Sequence, residues 1–150
     1  MSEQENIKVV QAIVDMVLTN QLDRTPEFFH EDYTADVPGA TGLTREQAQQ
    51  WTQSFLDAFP DLHHEITRIV AQGDDVVLMT TMSGTNTGPL PLPSGATIPP
   101  TGRSLKTFTC FAYTLRDGKV ARAHAYMDGA DILGQLGLLP AMEGTREVGA

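Results

Sequence analysis

The hydrophobic positions of this chain change period part of the way along. Ile7, Val10, Ile13, Val14 and Val17 recur at three- and four-residue spacing, which predicts an amphipathic helix from about Glu3 to Asn20. A short helix over Pro26–Phe29 and an extended piece over Tyr33–Val37, ended by Pro38-Gly39, follow. Thr44 opens a second long helix, with Gln47 completing a capping box, Trp51, Phe55, Ala58 and Phe59 as its apolar stripe, and Pro60 as its stop. Beyond Pro60 the period becomes two. Four strands are expected, Leu62–Ala71, Asp75–Thr85, Arg103–Arg116 and Lys119–Met127. Gly73-Asp74 and Asp117-Gly118 supply hairpin turns. Between the middle strands, Gly88–Gly102 carries prolines at 89, 91, 93, 99 and 100, which excludes a central strand and predicts a long exposed loop. A last short helix is expected over Gly129–Leu136, and residues 141–150 read as a mobile tail after a domain covering 1–140.

Helices first and antiparallel strands afterwards is an α+β order. Composition narrows the partners more than it changes the fold. A formal net charge of −9 disfavours nucleic acid and anionic membrane surfaces. The polar, acidic N-terminus lacks the features of a secretory signal, and the single cysteine, Cys110, excludes an internal disulfide. Cys110 is expected to be an inert buried thiol and the protein cytoplasmic.

Six short segments, in order, resemble one family. Phe59-Pro60-Asp61, Gly73-Asp74, Gly84-Thr85-Asn86-Thr87-Gly88, Pro99-Pro100-Thr101-Gly102, Asp117-Gly118-Lys119 and Gln135–Pro140 are similar to the recurring elements of the SnoaL-like polyketide cyclases, the ester cyclases of the nuclear transport factor 2-like superfold. The resemblance spans about Asn6 to Pro140. It implies a curved antiparallel sheet wrapped around N-terminal helices, a cone-shaped, cystatin-like α+β barrel with an apolar pocket. It also implies an intramolecular aldol condensation of a polyketide-type ester or ketone, with neither metal nor organic cofactor. An aspartate near the end of the last strand is the family's base, and by position it corresponds to Asp128. Relatives associate through the outer sheet face, so a homodimer or homotetramer is expected.

Around that base the last strand alternates Arg122, His124, Tyr126 and Asp128 with Ala121, Ala123, Ala125 and Met127. If Asp128 faces the pocket, His124 and Tyr126 do too, as donors to a developing alkoxide, and the alanine face packs elsewhere. Asp128 also directly precedes a helix, where an N-cap is the plain alternative. Asp36 could pair with His124 or share a proton with Asp128, or serve only a turn beside Pro38. Asn86 stands where the family has histidine, leaving an amide able to bind a carbonyl. Met79 and Thr80 replace an arginine and a tryptophan common in relatives, which implies a less charged pocket. Trp51, Phe55 and Phe108 are candidates to contact an apolar, polycyclic ligand. His63-His64 looks like a metal pair but lacks a third convergent ligand, and reads as a solvated strand edge. The Pro-rich loop is a candidate rim or lid. Other chemistries on the same fold remain open: a hydrolase or isomerase, a cofactorless hydroxylase, or a non-enzymatic small-molecule binder.

Overall fold

A computed structural model describes residues 2–92 and 94–139. The proposed tail at 141–150 therefore lies outside the described residues. Helix α1 spans Glu3–Leu18 and is closed by a Ser2–Glu5 capping box. A 3-10 turn, Leu22–Arg24, leads into the short α2, Thr25–Phe28. Strands β1 (Phe29–Val37) and β2 (Ala40–Leu43) form a hairpin before α3 (Arg45–Ala58). The Thr44–Gln47 capping box is present in both directions: Gln47 N–H donates to Thr44 Oγ1 at 3.2 Å, and Thr44 N–H to Gln47 Oε1 at 3.0 Å. Then come β3 (His63–Gln72), β4 (Asp75–Thr85), a small hairpin of β5 (Leu90–Pro91) and β6 (Thr97–Ile98), β7 (Ser104–Arg116), β8 (Lys119–Met127) and α4 (Gly129–Gln135). The β7–β8 turn needs two residues at positive φ and uses Asp117 (51°) and Gly118 (79°), as a type I′ hairpin requires.

Six strands form one sheet in the order β2-β1-β8-β7-β4-β3. The ladders are antiparallel except one: β1 runs parallel to β8, with Ala35 opposite Ala123 and Asp36 opposite His124. The expected sheet is thus antiparallel apart from this pair. A tight turn cannot join parallel neighbours, so the chain between β1 and β8 builds the rest of the domain.

Two apolar clusters hold the layers together. In the larger, Val10, Ile13, Val14 and Met16 of α1 pack on Tyr33, Val76, Leu78, Tyr113 and Val120 of the sheet. The smaller gathers Ala58, Phe59, Leu62, Met82, Leu105, Ile132 and Leu136 with Leu90 and Ile98 of the Pro-rich segment. That segment is exposed over most of its described residues, as its prolines suggest, but it is not an irregular loop throughout. Its hairpin buries two apolar side chains against α3 and α4, and so gains hydrophobic stabilisation that a free loop lacks.

The segments that carried the family resemblance meet at structural junctions. Asp61 accepts from Thr85 N–H at 2.7 Å and from its hydroxyl at 2.9 Å, tying the end of α3 to the end of β4. Gln135 bonds the backbone of Lys106 in both directions, at 2.9 and 2.8 Å, and pins α4 to β7.

Candidate active site

The helices do not fill the concave side of the sheet. A cavity of about 120 Å³ remains, walled by α1, β1, α3, β3, β4, β7 and β8. Its lining is largely apolar. Trp51 and Phe55 of α3, edge to face at 4.9 Å, form one side, and Phe111 and Tyr113 of β7, stacked at 6.2 Å, form the other. An apolar engineered cavity of about 150 Å³ admits benzene, so the space present suits a single ring. A polycyclic ligand requires side chains to move or rings to protrude past the rim.

The last strand turns the opposite face inward from the one expected. Ala123, Ala125 and Met127 line the cavity, while His124 and Tyr126 stand on the outer face, Tyr126 with 58% of its surface exposed. The reason is local. β8 lies between β1 and β7, and on the concave side Ala123 sits between the inward-facing strands that carry Tyr33 and Tyr113, whose rings take up the space beside it. Asp128 does not line the cavity. It is exposed, and its Oδ1 accepts from Asp131 N–H at 2.9 Å as the N-cap of α4. Phe108, also on the outer face, is 81% exposed and contacts no cavity. Cys110 alternates with it there and is half-buried rather than enclosed.

Asn86 is fully buried, yet it too lies away from the cavity. Its Oδ1 accepts from Thr101 N–H and Oγ1–H, both at 2.9 Å, and its Nδ2 donates to Gly88 O at 2.9 Å and Ala58 O at 3.3 Å. It is a clamp between two loops and the C-terminus of α3. Among the described residues no part of Gly88–Gly102 lines the cavity, so the Pro-rich segment is not its lid.

Asp36 reaches the rim, where it borders both the cavity and a shallower outer depression shared with His124 and Tyr126. Its pairing with His124 forms at 3.2 Å, while Arg122 donates at 3.0 Å and Gly42 N–H at 2.9 Å. The Gly42 N–H, then the Arg122 and His124 charges, hold its carboxyl below the ordinary carboxylate range. His124 Nε2 meanwhile faces Arg122 Nε at 3.2 Å, so both ring nitrogens of His124 are occupied.

The residue the sequence reading missed is His64. A solvated edge was expected for His63-His64. Alternation exposes His63, but it sends His64 inward opposite Met82 to line the cavity. Burial, with a smaller contribution from His63, pushes its pKa down from 6.5 to about 4, so the imidazole is neutral at physiological pH. His64 Nδ1 lies 2.8 Å from Thr80 Oγ1, which lies 2.6 Å from Thr109 Oγ1. Each direction of this chain leaves one donor without an acceptor among the described residues: the imidazole Nε2–H if Thr109 donates to Thr80 and Thr80 to Nδ1, the Thr109 hydroxyl if the chain runs the other way. The first arrangement puts the imidazole proton on Nε2, as a donor available to a ligand. The signal available in the sequence was the inward register of His64 with Thr80 and Thr109, three polar residues at inward positions of adjacent strands.

Among the described residues no three His, Cys, Asp or Glu side chains are arranged to hold a metal, and no helix is long and apolar enough to cross a membrane.

Comparison with known proteins agrees with this architecture. The family model for SnoaL-like polyketide cyclase matches residues 7–136. No curated protein matches the chain. Among solved structures, a proposed SnoaL-like polyketide cyclase from Jannaschia sp. CCS1 superposes with a TM-score of 0.82 at 21% identity, covering 92% of this chain and 95% of that one. AclR, a proposed hydroxylase from Streptomyces galilaeus, gives 0.82 at 22% identity, covering 99% and 95%. A protein with a ketosteroid isomerase-like fold from Catenulispora acidiphila DSM 44928, in complex with trimethylamine, gives 0.69 at 20% identity, covering 87% and 93%. At these identities the likeness is one of fold.

Proposed function

The chain belongs to the SnoaL-like polyketide cyclase family, and on that premise we propose that its cavity binds a compact aromatic carbonyl compound and promotes enolisation, the first step of an aldol ring closure. The observation that carries this reading is the neutral His64 lining an apolar cavity, its Nδ1 engaged by Thr80 and its Nε2 free for a ligand oxygen. A neutral imidazole in a low-dielectric site stabilises negative charge developing on a carbonyl oxygen. The carboxylate at the rim, Asp36, is the group able to take the C–H proton. Its contacts keep it ionised and make it a weak base. The substrate must therefore carry a methylene acidified by two neighbouring carbonyls. The proton passes from carbon to Asp36, charge moves to the oxygen facing His64, and the carbanion attacks a second carbonyl, whose oxygen takes up the proton. Asp128, capping α4 at the surface, is replaced in this scheme by Asp36.

The test is a mass-resolved turnover assay under air in D₂O with single-ring aryl β-keto esters that carry a further tethered ketone, the carbonyl the carbanion attacks. Deuterium uptake and products of unchanged skeleton mass are expected. His64→Gln should lower the rate about 100-fold, Asp36→Asn should lower it also, and Asp128→Asn should leave it intact. Loss of turnover in Asp128→Asn with full activity in His64→Gln would return the base to Asp128. A product one oxygen heavier would favour hydroxylation, the activity proposed for AclR.

The same reading includes a homodimer formed through the outer sheet face. Met79, Cys110 and Tyr126 lie in register across β4, β7 and β8, with Phe108 and Val70 beside them, and Met79, Tyr126, Phe108 and Val70 are all exposed. A contiguous apolar patch of this kind favours association. Light scattering should give twice the chain mass for the parent and the chain mass for Phe108→Arg. A monomeric parent at working concentration removes the dimer.

A further inference from the structure

Two tyrosines of the cavity remain without a role. Tyr33 of β1 and Tyr113 of β7 both line it, with only 6% and 8% of their surfaces exposed. Their strands flank β8 on either side. Ala123 of β8 pairs with Tyr113 on one side and with Ala35 on the other, and Tyr33 shares the inward face of β1 with Ala35. The two phenols thus stand on opposite sides of an alanine too small to separate them. Their rings are fixed by neighbours, Tyr33 edge to face with Phe29 at 4.9 Å and Tyr113 stacked on Phe111.

Neither hydroxyl has a hydrogen-bond partner among the described residues. Buried polar groups are nearly always paired. The side-chain atoms that are both sealed and unpaired, among the described residues, are those of the Asn6 amide. The tyrosine hydroxyls are unpaired but not among these sealed atoms, and both residues line the cavity. Burial raises both phenol pKa values, with Asp36 adding to the rise at Tyr33 and Tyr33 to that at Tyr113, so both keep their protons and act as donors.

We propose that Tyr33 and Tyr113 form an oxyanion-binding subsite, and that the ligand of this cavity presents an enolate or phenolate oxygen to the two hydroxyls. Resting on the reading of the cavity as a carbonyl site, this names the ligand class: a planar ring or conjugated dicarbonyl with one oxygen at the tyrosines and a second at His64. Charge balances during enolisation, because Asp36 loses its negative charge on accepting the proton as negative charge spreads over the two ligand oxygens, one facing His64 and one facing the phenols.

The probe is a series of nitro- and halo-substituted phenols of matched size and graded acidity, with nitrobenzene as the ring that lacks the hydroxyl. Binding is followed by calorimetry and by the visible absorbance of the nitrophenolates. Affinity should rise with phenol acidity. Tyr33→Phe and Tyr113→Phe should each weaken binding of the most acidic phenol about tenfold and leave nitrobenzene binding unchanged. Since neither hydroxyl has a protein partner, both variants should melt at the parent temperature. A lowered melting temperature in both, or phenol affinity independent of acidity and of both tyrosines, overturns the subsite. The two readings separate cleanly. Tyrosine-dependent phenol binding without turnover of any β-keto ester removes the enolisation reading and leaves the subsite. Turnover with tyrosine-independent phenol binding removes the subsite alone.

Discussion

Replacing Asn86 by alanine should cost about 3–4 kcal/mol of stability, read as a lowered denaturation midpoint at unchanged slope. The side chain is fully buried and makes four hydrogen bonds. Alanine would leave the Thr101 N–H and the Gly88 carbonyl without their partner at a part-buried junction, and an unpaired buried group costs about 1–3 kcal/mol. The Ala58 carbonyl suffers less, because Thr87 and Gly88 N–H groups also reach it, at 3.1 and 3.2 Å. Asn86→Asp should be at least as damaging, since an acceptor oxygen would then face two carbonyls. Gly88→Ala tests the same junction by steric means: its Cβ would sit 2.0 Å from the Asp57 carbonyl oxygen, which is backbone and cannot rotate away. Either substitution should act on stability and spare the cavity, which lies elsewhere. Parent-like stability in Asn86→Ala would mean that the clamp does not hold the end of α3.

Acid should destabilise the fold through His64 before it reaches the carboxylates. In the unfolded chain the imidazole takes up a proton near pH 6.5, and in the folded protein only near pH 4. Between those values the unfolded state binds more protons, so stability rises with pH across the window and is lost as pH falls through it. The difference corresponds to up to about 3 kcal/mol. The carboxyls of Asp36, Asp61 and Asp131, held below their ordinary value of 3.8 by hydrogen bonds and neighbouring charges, lose their contribution only at lower pH. The two windows can therefore be separated. The expected result is a decline in unfolding free energy between pH 6.5 and 4 that is absent in His64→Gln. A parallel decline in parent and variant would place the imidazole in solvent. The proposed donation from His64 to a ligand oxygen requires the same neutrality, so this measurement also bears on the chemistry.

The family resemblance and the site are written in different residues. Asp61, Asn86, Thr101 and Gln135 belong to the segments that are similar to the family, and the side chain of each is hydrogen-bonded to backbone at a junction of the fold. Asp117-Gly118 is a hairpin turn. These segments report architecture because they build it. The cavity walls, His64, Thr80, Tyr33 and Tyr113, fall outside them. A strong resemblance could therefore fix the fold while directing attention to Asp128, a helix cap.

The sequence by itself determined the elements. The shift of hydrophobic period at Pro60, the capping box at Thr44 and the Asp117-Gly118 turn are local signals, and local backbone preference decides them. It also showed that the last strand has two unlike faces. Which face looks inward was not a local matter. A period of two separates odd from even positions but carries no sign, and the sign comes from what packs against the strand. Only the tertiary structure placed β8 between β1 and β7 with Ala123 and Ala125 turned toward the cavity and His124 and Tyr126 away from it. The same packing brought His64 from an expected strand edge into the cavity wall as a neutral imidazole, and brought Tyr33 and Tyr113, 80 positions apart in the chain, to either side of one alanine.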